Sequence, residues 1–274
     1  MTVLCGEDDY IEPLSTLPIT LIILPISRRG MSFQDNFKTL VHLRKILKSN
    51  NWDAVQATTI KPNILSSIAV IGLNLKLFTM ITGLGVVKDT KFRGFKYFMF
   101  MFMFRFVNMK SKKVFVQGRT NIDWVISNQY ISDNKIVKIS GSGVDTSYFQ
   151  AAPMPPTSNG IRLLYIGRLL RSKGLLDLIN LTNLAHKNGR SVSLTIAGRT
   201  ESGFVDAIPK VELAQACTPS YIKYEGEVLD VRPLIESTHA VVLLTKYGEG
   251  VPKSVLEASS MNSCLLYTSD AADE

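Results

Sequence analysis

Short apolar runs alternate with longer amphipathic stretches along this chain. ITLIILPI at 19–26 reads as a buried strand, and FKTLVHLRKILKSN at 37–50 as a helix with Phe37, Leu40, Val41, Leu43, Ile46 and Leu47 on a broad apolar stripe. DAVQAT (53–58) is predicted as a strand, KPNILSSIAVIGL (61–73) as a helix, and LKLFTMIT (75–82), KKVFVQG (112–118) and KIVKIS (135–140) as strands. The turn GSGVDTSYF and the proline-, serine- and glycine-rich AAPMPPTSNG (151–160) then interrupt the pattern.

After that linker the same grammar restarts. RLLYIGRL, SVSLTIAG, IKYEGEV and AVVLLTK are predicted strands; GLLDLINLTNLAHKNG, DVRPLIEST and PKSVLEASSM are predicted helices. Two consecutive strand–helix series joined by a linker predict an α/β protein with two Rossmann-like domains and parallel sheets. The expected domains are 1–150 and 151–263, with 264–274 set apart as a tail.

One stretch breaks the alternation. FKYFMFMFMFRFVNMK at 95–110 repeats Phe and Met with a period of two, as a strand would, while its length and basic flanks suit a helix. From Lys88 to Lys113 stand Lys88, Lys91, Arg93, Lys96, Arg105, Lys110, Lys112 and Lys113 against one acid, Asp89. Two readings stay open: a helix packed into the core, or one lying on a membrane with its apolar residues in lipid and its cations on phosphates. No window reaches the roughly 20 apolar residues needed to span a bilayer; the closest approach, Phe95–Val107, is too short.

The net charge of +8 over 274 residues calls for an anionic neighbour, whether nucleic acid, a membrane face or a phosphorylated substrate. Nucleic acid is the weakest of these, since the aromatics cluster with methionines and no recognised module is present; no nucleic-acid partner is expected. Cys5, Cys217 and Cys264 form no CxxC pair, which argues against a zinc site or a disulfide scaffold. MTVLCGEDDY shows no signal-peptide pattern, so the expected location is the cytoplasm, or the inner face of the cytoplasmic membrane as a peripheral protein.

Two stretches carry candidate chemistry. In YIGRLLRSKG at 165–174 a glycine follows a strand and places Arg168 and Lys173 at its carboxyl lip, where open α/β sheets bind ligands. Arginine grips a diphosphate with a planar fork and lysine adds a mobile point charge. In GEGVPKSVLEA at 248–258, Gly250 lets backbone approach a ligand, and Pro252 suits the start of a helix whose free N–H groups face an anion. Glu257, inside that helix, can accept hydrogen bonds from ribose hydroxyls, and Glu249, in the loop, can accept them from a sugar or stabilise positive charge in the transition state.

These residues resemble the donor domain of glycosyltransferase family 4, with its GRL…KG and EGxPxxxLEA pattern, and GSGVDTSYF resembles the family's interdomain turn. PISRRG (25–30), TTIKPN (58–63) and TMITGLG (79–85) are similar to a bacterial branch that extends lipid-linked or surface oligosaccharides. The resemblance implies a GT-B fold and a retaining hexosyl or N-acetylhexosaminyl transfer from a nucleotide sugar, expected to be a UDP-sugar, without a cofactor or bound metal. It implies that Arg168 and Lys173 neutralise the donor diphosphate, that N–H groups from Gly250 and Val251 onward hold the phosphates, that Glu249 sits by the sugar and that Glu257 sits by the ribose. No catalytic nucleophile is assigned. Arg28, Arg29 and Lys61 are candidates for an acceptor lipid diphosphate, and Gly83 and Gly85 for a close loop approach to the donor.

Two other functions compete: a non-catalytic sugar-nucleotide binder at the membrane surface, and a GT-B sugar-nucleotide epimerase. The latter wants a histidine in the cleft, but His42, His186 and His239 lie away from the glycine-bearing lips. Both ends depart from the family. The chain opens at what resembles the family's second strand, and both domains are expected to be incomplete. CLLYTSDAADE at 264–274 reads as one translated frame of a transposon-based sequencing adapter. These residues alone are therefore not expected to catalyse transfer.

Overall fold

The computed structural model describes residues 1–7, 11–26, 33–84, 95–129, 131–201, 204, 206–246 and 250–268. The chain divides into two compact units: 1–116 with 122–138, and 117–121 with 139–274.

The first unit opens with β1 (Thr2–Cys5), α1 (Ile11–Ser15) and β2 (Thr20–Ile23), the two strands paired in parallel. Next come α2 (Phe33–Ser49), β3 (Ala54–Thr58), α3 (Ile60–Ala69), β4 (Lys76–Ile81), α4 (Phe95–Lys110), β5 (Lys113–Gln117), α5 (Arg119–Ser127) and β6 (Ile136–Ile139). A four-stranded sheet runs β3-β4-β5-β6, with parallel pairing of β3 to β4 and of β4 to β5. The stripe of α2 is narrower than its sequence suggests. Leu43 and Leu47 are buried with Leu40 and Ile46 against them, whereas Phe37 and Val41 are exposed. At about 100° per residue, Val41 turns well away from the Leu40–Leu43–Leu47 line.

The ambiguous Phe/Met stretch is helical. Met101, Phe104 and Val107, three residues apart, are buried, and Met101 and Phe104 pack with Ile81, Leu84, Val114 and Val116. Phe104 meets the Trp124 ring edge-on at 6.4 Å between centroids. The other face leaves Phe102 and Met109 exposed beside the exposed Arg105 and Lys110. No helix among the described residues is long and apolar enough to cross a membrane.

The second unit holds β7 (Ile161–Ile166), α6 (Leu175–Lys187), β8 (Val192–Ala197), α7 (Lys210–Ala216), β9 (Ile222–Gly226), α8 (Arg232–Glu236), β10 (Ala240–Leu244), α9 (Lys253–Ser260) and β11 (Cys264–Thr268). Its sheet runs β11-β10-β7-β8-β9, all pairs parallel. A parallel sheet covered by helices buries both faces of its central strands, and β7 and β10 obey this. Tyr165 and Val242 pack with α6, while the adjoining Leu164 and Val241 pack on the other face with Ile235 and Ala258.

The turn ahead of the linker belongs to this unit. Val144, Phe149 and Ala152 pack into its second core, Ser260 Oγ donates to the Phe149 carbonyl, and Ala152 N–H to that of Met261. The second unit thus takes in residues from Ile139 onward together with 117–121. Of the tail, Cys264–Thr268 pair with β10, and Leu265 and Tyr267 lie against the core while Leu266 points outward.

Candidate functional site

The order of the second sheet creates its site. From β7 the chain builds outward through β8 and β9, then returns to the opposite side of β7 to lay down β10 and β11. The crevice beyond the carboxyl ends of β7 and β10 is therefore the topological switch point, where such sheets bind ligands. Arg168 follows β7, and Gly250 and α9 follow β10.

The backbone at this lip is closely packed. Gly174 has φ +71°, and a Cβ there would lie 2.0 Å from the Leu244 carbonyl oxygen. Lys246 N–H donates to the Ser172 carbonyl at 2.7 Å, tying the loop after β10 to the turn after β7. On the other side, a Cβ on Gly198 would lie 1.9 Å from the Gly167 carbonyl oxygen. Glycine is required at both because chain meets chain, and φ is positive at each. The loop after β7 is anchored further by the buried Tyr165, whose hydroxyl donates to the Arg168 carbonyl at 2.9 Å.

On this frame Arg168 is half-buried and Lys173, closing a 3-10 turn at Arg171–Lys173, is buried. Gly250 is buried and Val251 half-buried ahead of α9. Glu257 is buried one turn into α9; burial pushes its carboxyl above the usual range, and Lys253, with Nζ 3.7 Å away, pulls it part of the way back. Glu249 lies outside the described residues. The structure thus brings Arg168, Lys173, Gly250, Val251 and Glu257 to the carboxyl edge of two neighbouring strands.

A residue beside them went unnoticed in the sequence. Arg199 follows β8 as Arg168 follows β7, and its guanidinium reaches Glu201 at 3.5 Å and Glu227 at 3.8 Å. The run Ile196, Ala197, Gly198, Arg199 at the end of β8 repeats Tyr165, Ile166, Gly167, Arg168 at the end of β7, a signal present in the sequence.

In the first unit, Lys61 lies in the first turn of α3 after β3, and Gly83 just beyond β4, so adjacent strands bring both to one lip. Burial lowers the Lys61 ammonium from its ordinary range and Asp35 partly restores it. Thr59, ahead of α3, adopts φ 72° and ψ 164°, a region that glycine normally occupies. Arg28, Arg29, Gly85 and the basic residues from Lys88 to Arg93 lie outside the described residues. His239 is buried, with Nδ1 accepting from Arg162 N–H, and His186 lies against the Tyr221 ring.

The model of the glycosyl transferases group 1 family matches residues 160–274. The chain is 24% identical over 283 residues, 96% of its length and 71% of the relative's, to N,N'-diacetylbacillosaminyl-diphospho-undecaprenol alpha-1,3-N-acetylgalactosaminyltransferase of Campylobacter jejuni. Among solved structures it resembles a glycosyltransferase from Rickettsia africae (TM-score 0.71, 18% identity, 96% of this chain and 69% of that one). It also resembles HepE of Anabaena in complex with UDP and glucose (TM-score 0.73, 15% identity, 96% and 72%).

Proposed function

We propose that the chain is a glycosyltransferase of the GT-B fold, its residues 160–274 matching the glycosyl transferases group 1 model, and from that premise we derive its donor, acceptor and site. It moves a hexose or N-acetylhexosamine, with retention of configuration, from a UDP-sugar to a lipid-linked or surface polysaccharide acceptor. The observation that carries this reading is the convergence of Arg168 and Lys173 with the start of α9 at the switch point of the second sheet.

A nucleoside diphosphate fits those groups. Arg168 and Lys173 neutralise its two phosphates, and the N–H groups from Gly250 and Val251 onward add the positive end of α9. Glu257 accepts hydrogen bonds from the ribose, and Glu249 sits by the sugar. Fixed cations aimed at the leaving diphosphate stabilise the charge that develops as the glycosidic bond breaks. HepE in complex with UDP supports the choice of base.

The acceptor is proposed to be a polyprenyl-diphosphate-linked saccharide, as the name of the Campylobacter relative describes for that enzyme. Lys61, with Arg28 and Arg29, would meet its diphosphate, and Gly83 and Gly85 would let the neighbouring loop approach. The outer face of α4, with Phe102 and Met109 among Arg105 and Lys110, would rest on an anionic bilayer at the inner face of the cytoplasmic membrane. Calorimetric titration with UDP tests the donor site. R168A and K173A should each lose roughly 1.5–3 kcal/mol of binding, the scale of a charge-assisted hydrogen bond. Unchanged affinity in both variants refutes the assignment.

A further inference from the structure

Arg168 and Lys173 sit on the connection between β7 and α6 rather than on a regular element, so something must fix that connection. A segment much later in the chain does so. Leu170 and Ala207 form an isolated antiparallel bridge. Ile208 N–H donates to the Leu169 carbonyl at 3.0 Å, and Arg171 N–H to the Asp206 carbonyl at 2.8 Å. The Asp206 carboxylate accepts from Ser172 N–H, 3.3 Å from each oxygen, and from the Ser172 hydroxyl. Residues 206–208 are thus a strap laid across 169–172.

Resting on the donor-site reading above, we propose that Asp206 is a positioning residue for Lys173. Ser172 is gripped from both sides: its N–H and hydroxyl by the Asp206 carboxylate, its carbonyl by Lys246 N–H at the end of β10. Those bonds fix the peptide that leads into Lys173. The turn then closes through Lys173 N–H to the Leu170 carbonyl at 3.1 Å and Gly174 N–H to that of Arg171 at 3.0 Å. A single 3-10 turn has too few internal bonds to hold a lysine on a phosphate unaided. An ionised carboxylate is the strongest side-chain acceptor available for neutral donors. By charge alone an acid beside a phosphate-binding cation would weaken anion binding, so its contribution is geometric. The same turn is also tied to α7 by the Arg171–Glu212 pair, but that pair is exposed and should matter little.

The test uses the 274-residue chain, titrated calorimetrically with UDP and with uridine, alongside thermal melts. D206A should bind UDP about tenfold more weakly, the equivalent of losing one charge-assisted bond. Uridine affinity should stay unchanged because Asp206 acts through the phosphate-binding cation, while the melting transition should fall modestly as the Ser172 donors lose their acceptor. D206N, whose amide oxygen still accepts from Ser172, should restore UDP affinity to within about twofold, and E212A should leave it within about twofold. Should D206A fail to fold, S172A isolates the hydroxyl bond and should cost about threefold. Unchanged UDP affinity in D206A, or equal losses for UDP and uridine, overturns the proposal. R168A and K173A separate the two levels. If they weaken UDP binding and D206A does not, only the positioning role fails; if neither does, or if the unmodified chain binds no UDP, the donor site itself is misassigned.

Discussion

At two glycines of the second unit's lip, Gly174 after β7 and Gly198 after β8, the backbone leaves no room for a side chain, whereas beyond β3 a threonine stands where glycine would sit more easily. At the second unit's lip, Gly174 and Gly198 touch the Leu244 and Gly167 carbonyls, and hydrogen bonds from Lys246 and the strap at 206–208 close the loops on one another. At the first unit's lip, Thr59 stands at φ 72° with no hydrogen bond from its side chain to the helix it caps. The first arrangement suits a ligand part common to many donors, a diphosphate that must be met by backbone and fixed cations. The second stores strain at the place proposed for the acceptor. Rigid recognition and strained recognition leave different marks, and substitutions separate them.

The largest effect should come from adding one carbon to the tight lip. G174A must move Leu244 or the start of α6, and its backbone conformation disfavours any Cβ; a loss of about 3–5 kcal/mol in the second unit's unfolding free energy is expected. The control is G72A in the first unit, where φ is +73° but nothing lies within 4 Å, so only the left-handed penalty of about 1 kcal/mol applies. Equal losses by urea denaturation would show that conformation rather than close approach governs both. At the strained lip the sign reverses. T59G relieves about 1–3 kcal/mol of strain against about 1 kcal/mol of added chain entropy, for a net gain of about 1 kcal/mol. A loss on that substitution would mean that Thr59 is held by its side chain and that the contrast between the lips is false.

Where the sequence was legible, the physics was local. β7, β8 and β10 announced themselves as apolar runs ended by glycine or a polar residue, and the Gly–Arg step after β7 marked its own lip. α5 and α7 did not, being only nine and seven residues long, too short for a stripe to repeat over several turns. α4 was ambiguous because Phe and Met fill most of its sequence, so only the burial of Met101, Phe104 and Val107 decides between a period of two and a helix. The bond between Ser172 and Asp206 spans 34 residues with no pattern connecting them. Glu257 was read as a ribose acceptor from its spacing, but its burial follows from the core behind α9, which no local pattern reports.

The smallest predicted effects set the two lips against each other by charge. Glu257 and Lys61 are each partly removed from water, and each is only partly compensated, by Lys253 and by Asp35. Burial raises the folded pKa of Glu257 above its unfolded value. The folded state therefore holds that proton more tightly, and the associated stability is present in acid and lost as pH rises through the folded pKa. Burial lowers that of Lys61, so the cost of its charge is paid at neutral pH and relieved as pH rises through its depressed pKa. E257Q should match the parent near about pH 4 and gain stability toward neutrality, whereas K61M should be more stable at neutrality and lose that advantage toward about pH 10. Each gain should stay below about 1 kcal/mol, since both groups keep a charged neighbour and some contact with solvent. E257Q should meanwhile weaken UDP binding at neutral pH, because an amide is a poorer acceptor for ribose hydroxyls than a carboxylate. Urea midpoints across that pH range decide the matter. Parallel pH profiles for the two variants would remove burial as the shared cause, and a stabilised E257Q that binds UDP unchanged would take Glu257 out of the donor site.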